Sequence, residues 1–198
     1  VGFSDYWLIK SDSLGNILWS KKYTEELGSD FICIQQTDDD ADGVKDDGYV
    51  MVGRTLYFQL PTGNNYDVFL VKTDGSGNLT WSKRYGGSTT SHVRFDYGRY
   101  VQQTADGGYI LTGETNSFSS KTERYLLKTN GSGTISWGKS YNDGVNWTGY
   151  GYSVRQTSDG GYVSCGSSAG SYTIKTDVNG NSGCNENNIS MVINLSNT

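Results

Sequence analysis

Apolar and polar residues alternate in short runs along most of the chain. This is the period-two signature of strands whose side chains point to opposite faces. Runs rich in Val, Ile, Leu, Phe, Tyr and Thr are separated by Asp-Gly, Gly-Gly or Gly-Asn, which supply the positive φ of tight hairpins. Few stretches place apolar residues at i, i+3, i+4 and i+7, so the pattern predicts an all-β chain. The strand signals form a recurring quartet. Strand A carries Gln-Gln-Thr or its near copy (35–37, 102–104, 155–157), and strand B runs from Gly-Tyr to a Gly (48–53, 108–113, 161–166). Strand C is an apolar run closed by Lys10, Lys72, Lys128 or Lys175, and strand D holds Trp19, Trp81 or Trp137 and then Tyr23, Tyr85 or Tyr141. The Trp residues recur at roughly 50–60 residues, a period of propeller blades and longer than that of most short solenoid coils.

Four antiparallel strands per unit, apolar on both faces, suit a sheet stacked between two neighbours. The expected fold is therefore a partial β-propeller of four-stranded antiparallel blades. It comprises a half blade (strands C and D) over 5–23, blades over 30–85 and 99–141, and a last, degenerate blade over 151–198. Cys184 stands where the fourth Trp is expected, and residues 188–195 are a candidate substitute for the missing strand. A β-sandwich is the rival, but it does not require one quartet to recur with the same turns. Because the chain starts at Val1, directly before a strand, it is read as part of something longer. The repeated Lys residues and Trp residues are expected to make the same internal contact in each unit.

The pattern Lys-Thr-Asp-x-x-Gly-Asn-x-x-Trp-Ser-Lys-x-Tyr-Gly-Gly, followed by Gln-Thr-x-Asp-Gly-Gly-Tyr-x-x-x-Gly, resembles propeller repeats of large secreted proteins of Bacteroidota. It is more distantly similar to quinoprotein-type blades. The resemblance extends to about Asn181 and implies a surface protein with binding, adhesive or scaffolding duties. It also implies an extracellular location, with the remaining blades or a partner chain as neighbours.

Candidate chemistry is concentrated in two places. In a propeller, the A–B and C–D turns share one face and the B–C and D–A loops the other. The second set is long and varied here: 56–65, 86–98, 116–123 and 142–151. Variable loops on a rigid scaffold are where recognition resides. Tyr57, Phe58, Arg94, Phe95, Tyr97, Trp147 and Tyr150 are its candidate ligand-binding residues, suited to stacking on a sugar or anchoring a protein. The second place is an insertion in the first A–B hairpin, where residues 38–47 precede Gly48. Asp38, Asp40, Asp42 and Asp46, with the Val44 carbonyl, form a candidate Ca²⁺ loop similar to those of thrombospondin type 3 and dockerin repeats. Tyr49 replaces the acidic ligand expected at the twelfth position, which implies weak binding.

Other features narrow the function. The only histidine, His92, lies in a polar loop, and no nucleophile elbow or HExxH motif is present, so no enzyme activity is expected. A formal net charge of −5 with mixed signs argues against nucleic acid or anionic membranes as partners. No apolar stretch approaches a membrane span, so a soluble chain without membrane insertion is expected. Cys33, Cys165 and Cys184 lack zinc spacing and are read as small apolar residues. Asp12-Ser13-Leu14 resembles the Bacteroidota O-glycosylation signal, with Ser13 the acceptor, and five Asn-x-Ser/Thr triplets also occur. The expected function is non-catalytic binding, adhesion or scaffolding toward a glycan or protein. The alternative is a polysaccharide-binding accessory module of a secreted enzyme.

Overall fold

A computed structural model describes the chain except residues 1–4, 25–28, 41, 45–46, 61–62, 88–92, 143–147, 184–185 and 195–198; the side chains of 5, 24, 57–60, 63–64 and 194 are also outside the description. The described residues are all-β, with fifteen strands in antiparallel sheets. The first sheet pairs β1 (Asp5–Ser11) with β2 (Ile17–Thr24). The second runs in order through β3 (Ser29–Thr37), β4 (Gly48–Leu60), β5 (Gly63–Asp74) and β6 (Leu79–Gly86). The third runs through β7 (Asp96–Gln103), β8 (Tyr109–Thr115), β9 (Glu123–Thr129) and β10 (Ile135–Tyr141). The fourth holds β11 (Tyr150–Gln156), β12 (Tyr162–Ser167) and β13 (Ser171–Thr176).

Successive sheets meet through one contact made three times. Trp19, Trp81 and Trp137 each meet a Tyr of the next sheet edge-on: Tyr49 at 5.8 Å, Tyr109 at 5.9 Å and Tyr162 at 5.7 Å between centroids. The same rings cover a turn glycine of that next sheet. A Cβ at Gly77, Gly133 or Gly180 would lie 2.8, 3.0 or 2.7 Å from the Trp ring. Tyr23, Tyr85 and Tyr141 donate their hydroxyls to the carbonyls of those glycines, at 2.6, 2.7 and 2.7 Å. Glutamines add rungs between first strands: Gln35 Oε1 accepts from the Gln103 amide at 2.7 Å, and Gln102 Oε1 from the Gln156 amide at 2.8 Å. Every residue of β8 and β9 is buried, because the third sheet is covered on both faces. The main core joins Val50, Val52, Val68, Leu70 and Tyr85 to Val101, Leu111, Tyr125 and Leu127 across the seam of the second and third sheets.

Three of the four repeated lysines share one internal contact, whereas Lys10 lies 5.8 Å from the centroid of the Tyr49 ring in the next sheet. Lys72, Lys128 and Lys175 each donate to the carbonyl of the following Thr, and each pairs with an Asp in the connection between the first two strands of its sheet: Asp39 (2.7 Å), Asp106 (2.9 Å) and Asp159 (2.8 Å). Partial burial pushes the Asp106 carboxyl up. Hydrogen bonds from Thr104 and Lys128 outweigh that and hold it at about 2. Asp39, at the head of the acidic insertion, thus does the work of Asp106. The extra residues lie after it, although Asp47 is the one that directly precedes Gly48.

Three expectations need correction. Within the expected loop 56–65, residues 56–60 and 63–65 are strand: they extend β4 and β5 as paired strands, with Leu56 opposite Tyr66 and Leu60 opposite Gly63. Of the candidate segment 188–195, the described residues 188–194 do not complete the fourth sheet. β14 (Glu186–Asn188) adds to β10, and β15 (Val192–Asn194) adds to β6. Between them Ile189 and Met191 are buried in the core at the seam of the second and third sheets. Ile189 also donates its amide to the Gly138 carbonyl at 3.1 Å. The seam offers an apolar pocket to those two side chains, whereas β13 presents exposed Ser171, Thr173 and Lys175. Finally, Cys165 is exposed and Cys33 half-buried, both as free thiols, so Cys165 is not a core residue; Cys184 lies outside the described residues.

Candidate functional site

The acidic insertion leaves β3 on a base clamped to the neighbouring sheet. The Asp38 amide donates to Gln103 Oε1 at 2.9 Å, and Gln103 Nε2 donates to the Asp38 carbonyl at 3.0 Å. Above that base the loop folds on its own carboxylates. Asp47 Oδ2 accepts from the amides of Asp39 and Asp40, Asp38 Oδ2 accepts from Gly43, and Asp40 Oδ1 accepts from Asp42. Gly43 sits at φ 90°, which lets the chain double back toward Asp38. Asp38, Asp40 and Asp47 each bring one carboxylate oxygen within 4.8 Å of the others. Asp38 Oδ1 is buried without a hydrogen-bond donor.

This trio differs from the set expected from spacing. Asp42 does not join it; its Oδ1 accepts from the Val44 amide at 2.7 Å. Asp46 lies outside the described residues, and Asp47, not among the expected ligands, joins the trio. Three carboxylates at this separation repel one another, and a hard cation with oxygen ligands would offset that repulsion. The orphaned Asp38 oxygen fits such a role.

The second candidate is a row of rings and guanidinium groups at the starts of the first strands. Arg54 grips Asp30 side-on, Nε to both oxygens at 3.0 Å and Nη2 to Oδ2 at 2.9 Å. Its guanidinium then lies 5.2 Å over Tyr66 and 4.6 Å over Tyr97, with Tyr66 and Tyr97 edge-on at 5.8 Å and Phe95 tilted on Tyr97 at 5.0 Å. Tyr97 stands opposite Glu114 in the β7–β8 register, and Glu114 holds Arg99 through its Nε and Nη2. Burial raises the Glu114 pKa, while the Arg99 hydrogen bonds draw it back down. Arg99 lies 5.7 Å from the centroids of both Tyr150 and Tyr152, which stack 6.4 Å apart at 4°. Tyr152 is half exposed.

The approach to β7 is held rigid from below. Asn65 Oδ1 accepts from the Arg94 amide at 2.7 Å and Asn116 Oδ1 from Phe95 at 2.8 Å. Buried Asp96 accepts from Thr115, Ser117 and Gly87; burial raises its pKa, and those hydrogen bonds oppose the rise. Of the residues expected to recognise a ligand, Phe95, Tyr97 and Tyr150 belong to the row. Arg94 turns inward, its Nη1 donating to the carbonyls of Asn116 and Ser119. Tyr57 and Phe58 lie on β4 with side chains outside the description, and Trp147 and His92 are outside it altogether. Sequence reasoning missed Arg54, Tyr66, Arg99 and Tyr152, which sit on predicted strands or beside them. Ser13 occupies the exposed β1–β2 turn, where Asp12 Oδ1 accepts from the Leu14 and Asn16 amides.

Fold and sites define a repeat-built, all-β protein with an acidic hairpin loop and an aromatic–arginine row. No family model matches the chain, and no curated protein matches it. No helix among the described residues is long and apolar enough to cross a membrane.

Proposed function

We propose that the chain is a non-catalytic recognition module of an extracellular surface protein, built as part of a β-propeller. Its binding face is the row Arg54, Tyr66, Phe95, Tyr97, Arg99, Tyr150 and Tyr152, and its ligand is a glycan or a protein. The observation that carries this reading is the fixed presentation of the rings. Two side-on Arg–carboxylate pairs, Arg54–Asp30 and Arg99–Glu114, hold guanidinium groups against four tyrosines. Such pre-set rings lose little freedom on binding a sugar face or an apolar anchor. The propeller reading is supported by the Trp–Tyr–Gly contact recurring in one direction along the chain. On a glycan array and in pull-downs from the native surface, Tyr97→Ala and Tyr152→Ala should each weaken capture by about tenfold or more. Unchanged capture by both variants would place recognition elsewhere. The same face would serve a polysaccharide-binding accessory module of a secreted enzyme, and catalytic domains in a longer chain would favour that alternative.

The acidic loop is proposed as a Ca²⁺ site that orders the hairpin, with Asp38, Asp40 and Asp47 as its carboxylates and the Val44 carbonyl as a further ligand. Lacking an acidic group at Tyr49, it should bind in the ~10⁻⁴–10⁻³ M range of extracellular modules. Calorimetric titration should give saturable heat and a melting shift at millimolar calcium, both lost in Asp40→Asn/Asp47→Asn. Absence of both signals in the parent protein would leave a solvated acidic loop.

A further inference from the structure

On the side of β3 that faces the first sheet, residue after residue lacks a partner that its repeats possess. Ile34 holds the place of Val101 and Val154, which are 1% and 0% exposed because the preceding sheet covers them, yet Ile34 is 47% exposed. Between neighbouring sheets the Gln103 amide donates to Gln35 Oε1 and the Gln156 amide to Gln102 Oε1. In return, Gln103 Oε1 and Gln156 Oε1 accept from the amides of Asp38 and Ala105. Gln36 is the matching residue of the second sheet, and it makes neither bond among the described residues. Lys10 matches Lys72, Lys128 and Lys175, but no carboxylate meets it among the described residues. Lys10 and Gln36 stand at the ends of β1 and β3 remote from the 24–29 connection. β1 takes the place of a third strand, and its edge away from β2 is open. Between β1 and β3 runs a groove of about 510 Å³, lined by Tyr6 and Leu8 on one side and by Phe31, Cys33, Ile34 and Met51 on the other. An open strand edge beside an apolar groove is a template for incoming strands.

We propose that this edge receives a β-hairpin from a partner, and that the hairpin has the chemistry of the first two strands of this repeat. Its second strand would pair antiparallel with β1. Its first strand would lie against β3, as β3 lies against β7 and β7 against β11. A Gln in that first strand would accept from the Gln36 amide, and the residue after its Thr would donate to Gln36 Oε1. The Asp of its turn would answer Lys10. One object thus covers Ile34, completes Gln36, pairs Lys10 and closes the β1 edge, and the glutamine rungs continue by one step. A second copy of the chain does not supply it, because its β3–β4, β7–β8 and β11–β12 hairpins are each paired to a third strand already. The edge is independent of the aromatic–arginine row, so a row that captures no ligand would leave it intact.

The test joins an added copy of residues 99–115 to the front of the full chain through a flexible linker as long as 116–122, the stretch that connects β8 to β9. The tether holds the hairpin at high effective concentration. The fused chain should melt roughly 4 °C or more above the parent. Hydrogen exchange at the Gln36 amide should slow by roughly tenfold or more. Gln102→Ala in the added hairpin should remove that slowing. Asp106→Asn in the added hairpin should lower the melting temperature of the fusion, but not once Lys10→Met is present, a dependence that apolar cover alone would not give. Equal melting and exchange in parent and fusion overturn the proposal, as does a stabilised fusion whose Gln36 exchange ignores Gln102→Ala. A dimeric parent with the Gln36 amide already protected would make a second copy the occupant, and the proposal falls. Should the fusion fail to fold, the cyclised hairpin added to the parent decides: slowed exchange at Gln36 supports the site, and unchanged exchange refutes it.

Discussion

Gly113→Val should unfold the third sheet or lower its stability by about 4 kcal/mol or more, a size reserved for outright steric failure. A Cβ at Gly113 would lie 1.8 Å from the Tyr97 carbonyl oxygen, and at the matching Gly53 and Gly166 it would lie 1.7 and 1.8 Å from the carbonyls of Asp30 and Tyr150. The obstructing atom is backbone, so no rotamer change relieves it. β7 must separate from β8 at its bulge between Gly98 and Tyr100, and the pair of half-buried Arg99 with buried Glu114 goes with it. Urea unfolding of Gly113→Val beside Gly170→Ala is the measurement. Gly170 has open space around its Cβ and no positive φ, so its variant should stay within about 0.5 kcal/mol of the parent. If Gly113→Val melts within about 1 kcal/mol of the parent, the close approach of these strands is wrong.

Trp81→Ala should cost about 3–5 kcal/mol, and more than Trp19→Ala. Trp81 joins two four-strand units: its ring meets Tyr109 and covers Gly133, and it packs on the core that contains Val68, Leu70 and Leu127. Trp19 makes the matching contact from a two-stranded sheet whose Trp7, Ile9 and Leu18 are largely exposed, so less cooperative structure depends on it. Tyr85→Phe isolates the polar part of the same joint. It removes only the hydroxyl donated to Gly133 and should cost about 1 kcal/mol. Equal losses for Trp81→Ala and Trp19→Ala would mean that the sheets do not stabilise one another through this contact.

The repeat was legible because its joints are made of residues that recur. Trp, Tyr, the turn Gly and the Lys-Thr pair hold the same place in each unit, so comparing the chain with itself exposes them. The aromatic–arginine row was hidden for the opposite reason. Arg54, Glu114 and Ser167 share one position on the second strand of their sheets, and Asp30, Tyr97 and Tyr150 share one on the first, with unlike chemistry each time. The row appears only when neighbouring units are placed side by side. The extension of β4 was hidden because a bulge between Leu56 and Phe58 interrupts its pairing, among polar residues that resemble a loop. In the acidic hairpin, Asp47-Gly48-Tyr49 resembles the Asp-Gly-Gly-Tyr of the shorter hairpins, so nothing in the sequence marks Asp47 as a ligand. The pairing of Asp39 with Lys72 reveals the true correspondence, which frees Asp47 to face Asp38 and Asp40.

The C-terminal segment also sets an order of events. β14 and β15 lie against strands from two different sheets, with Val192 opposite Gly86 and Asn188 opposite Lys139. Ile189 and Met191 find their places only after those sheets have come together. Because this stretch follows both sheets in the sequence, the seam between the second and third sheets is uncovered during synthesis until it emerges. Until then the outer edges of β6 and β10 are open to any other strand nearby. Late arrival makes the segment a kinetic latch: it contributes little to the rate at which the sheets assemble and more to the rate at which they come apart.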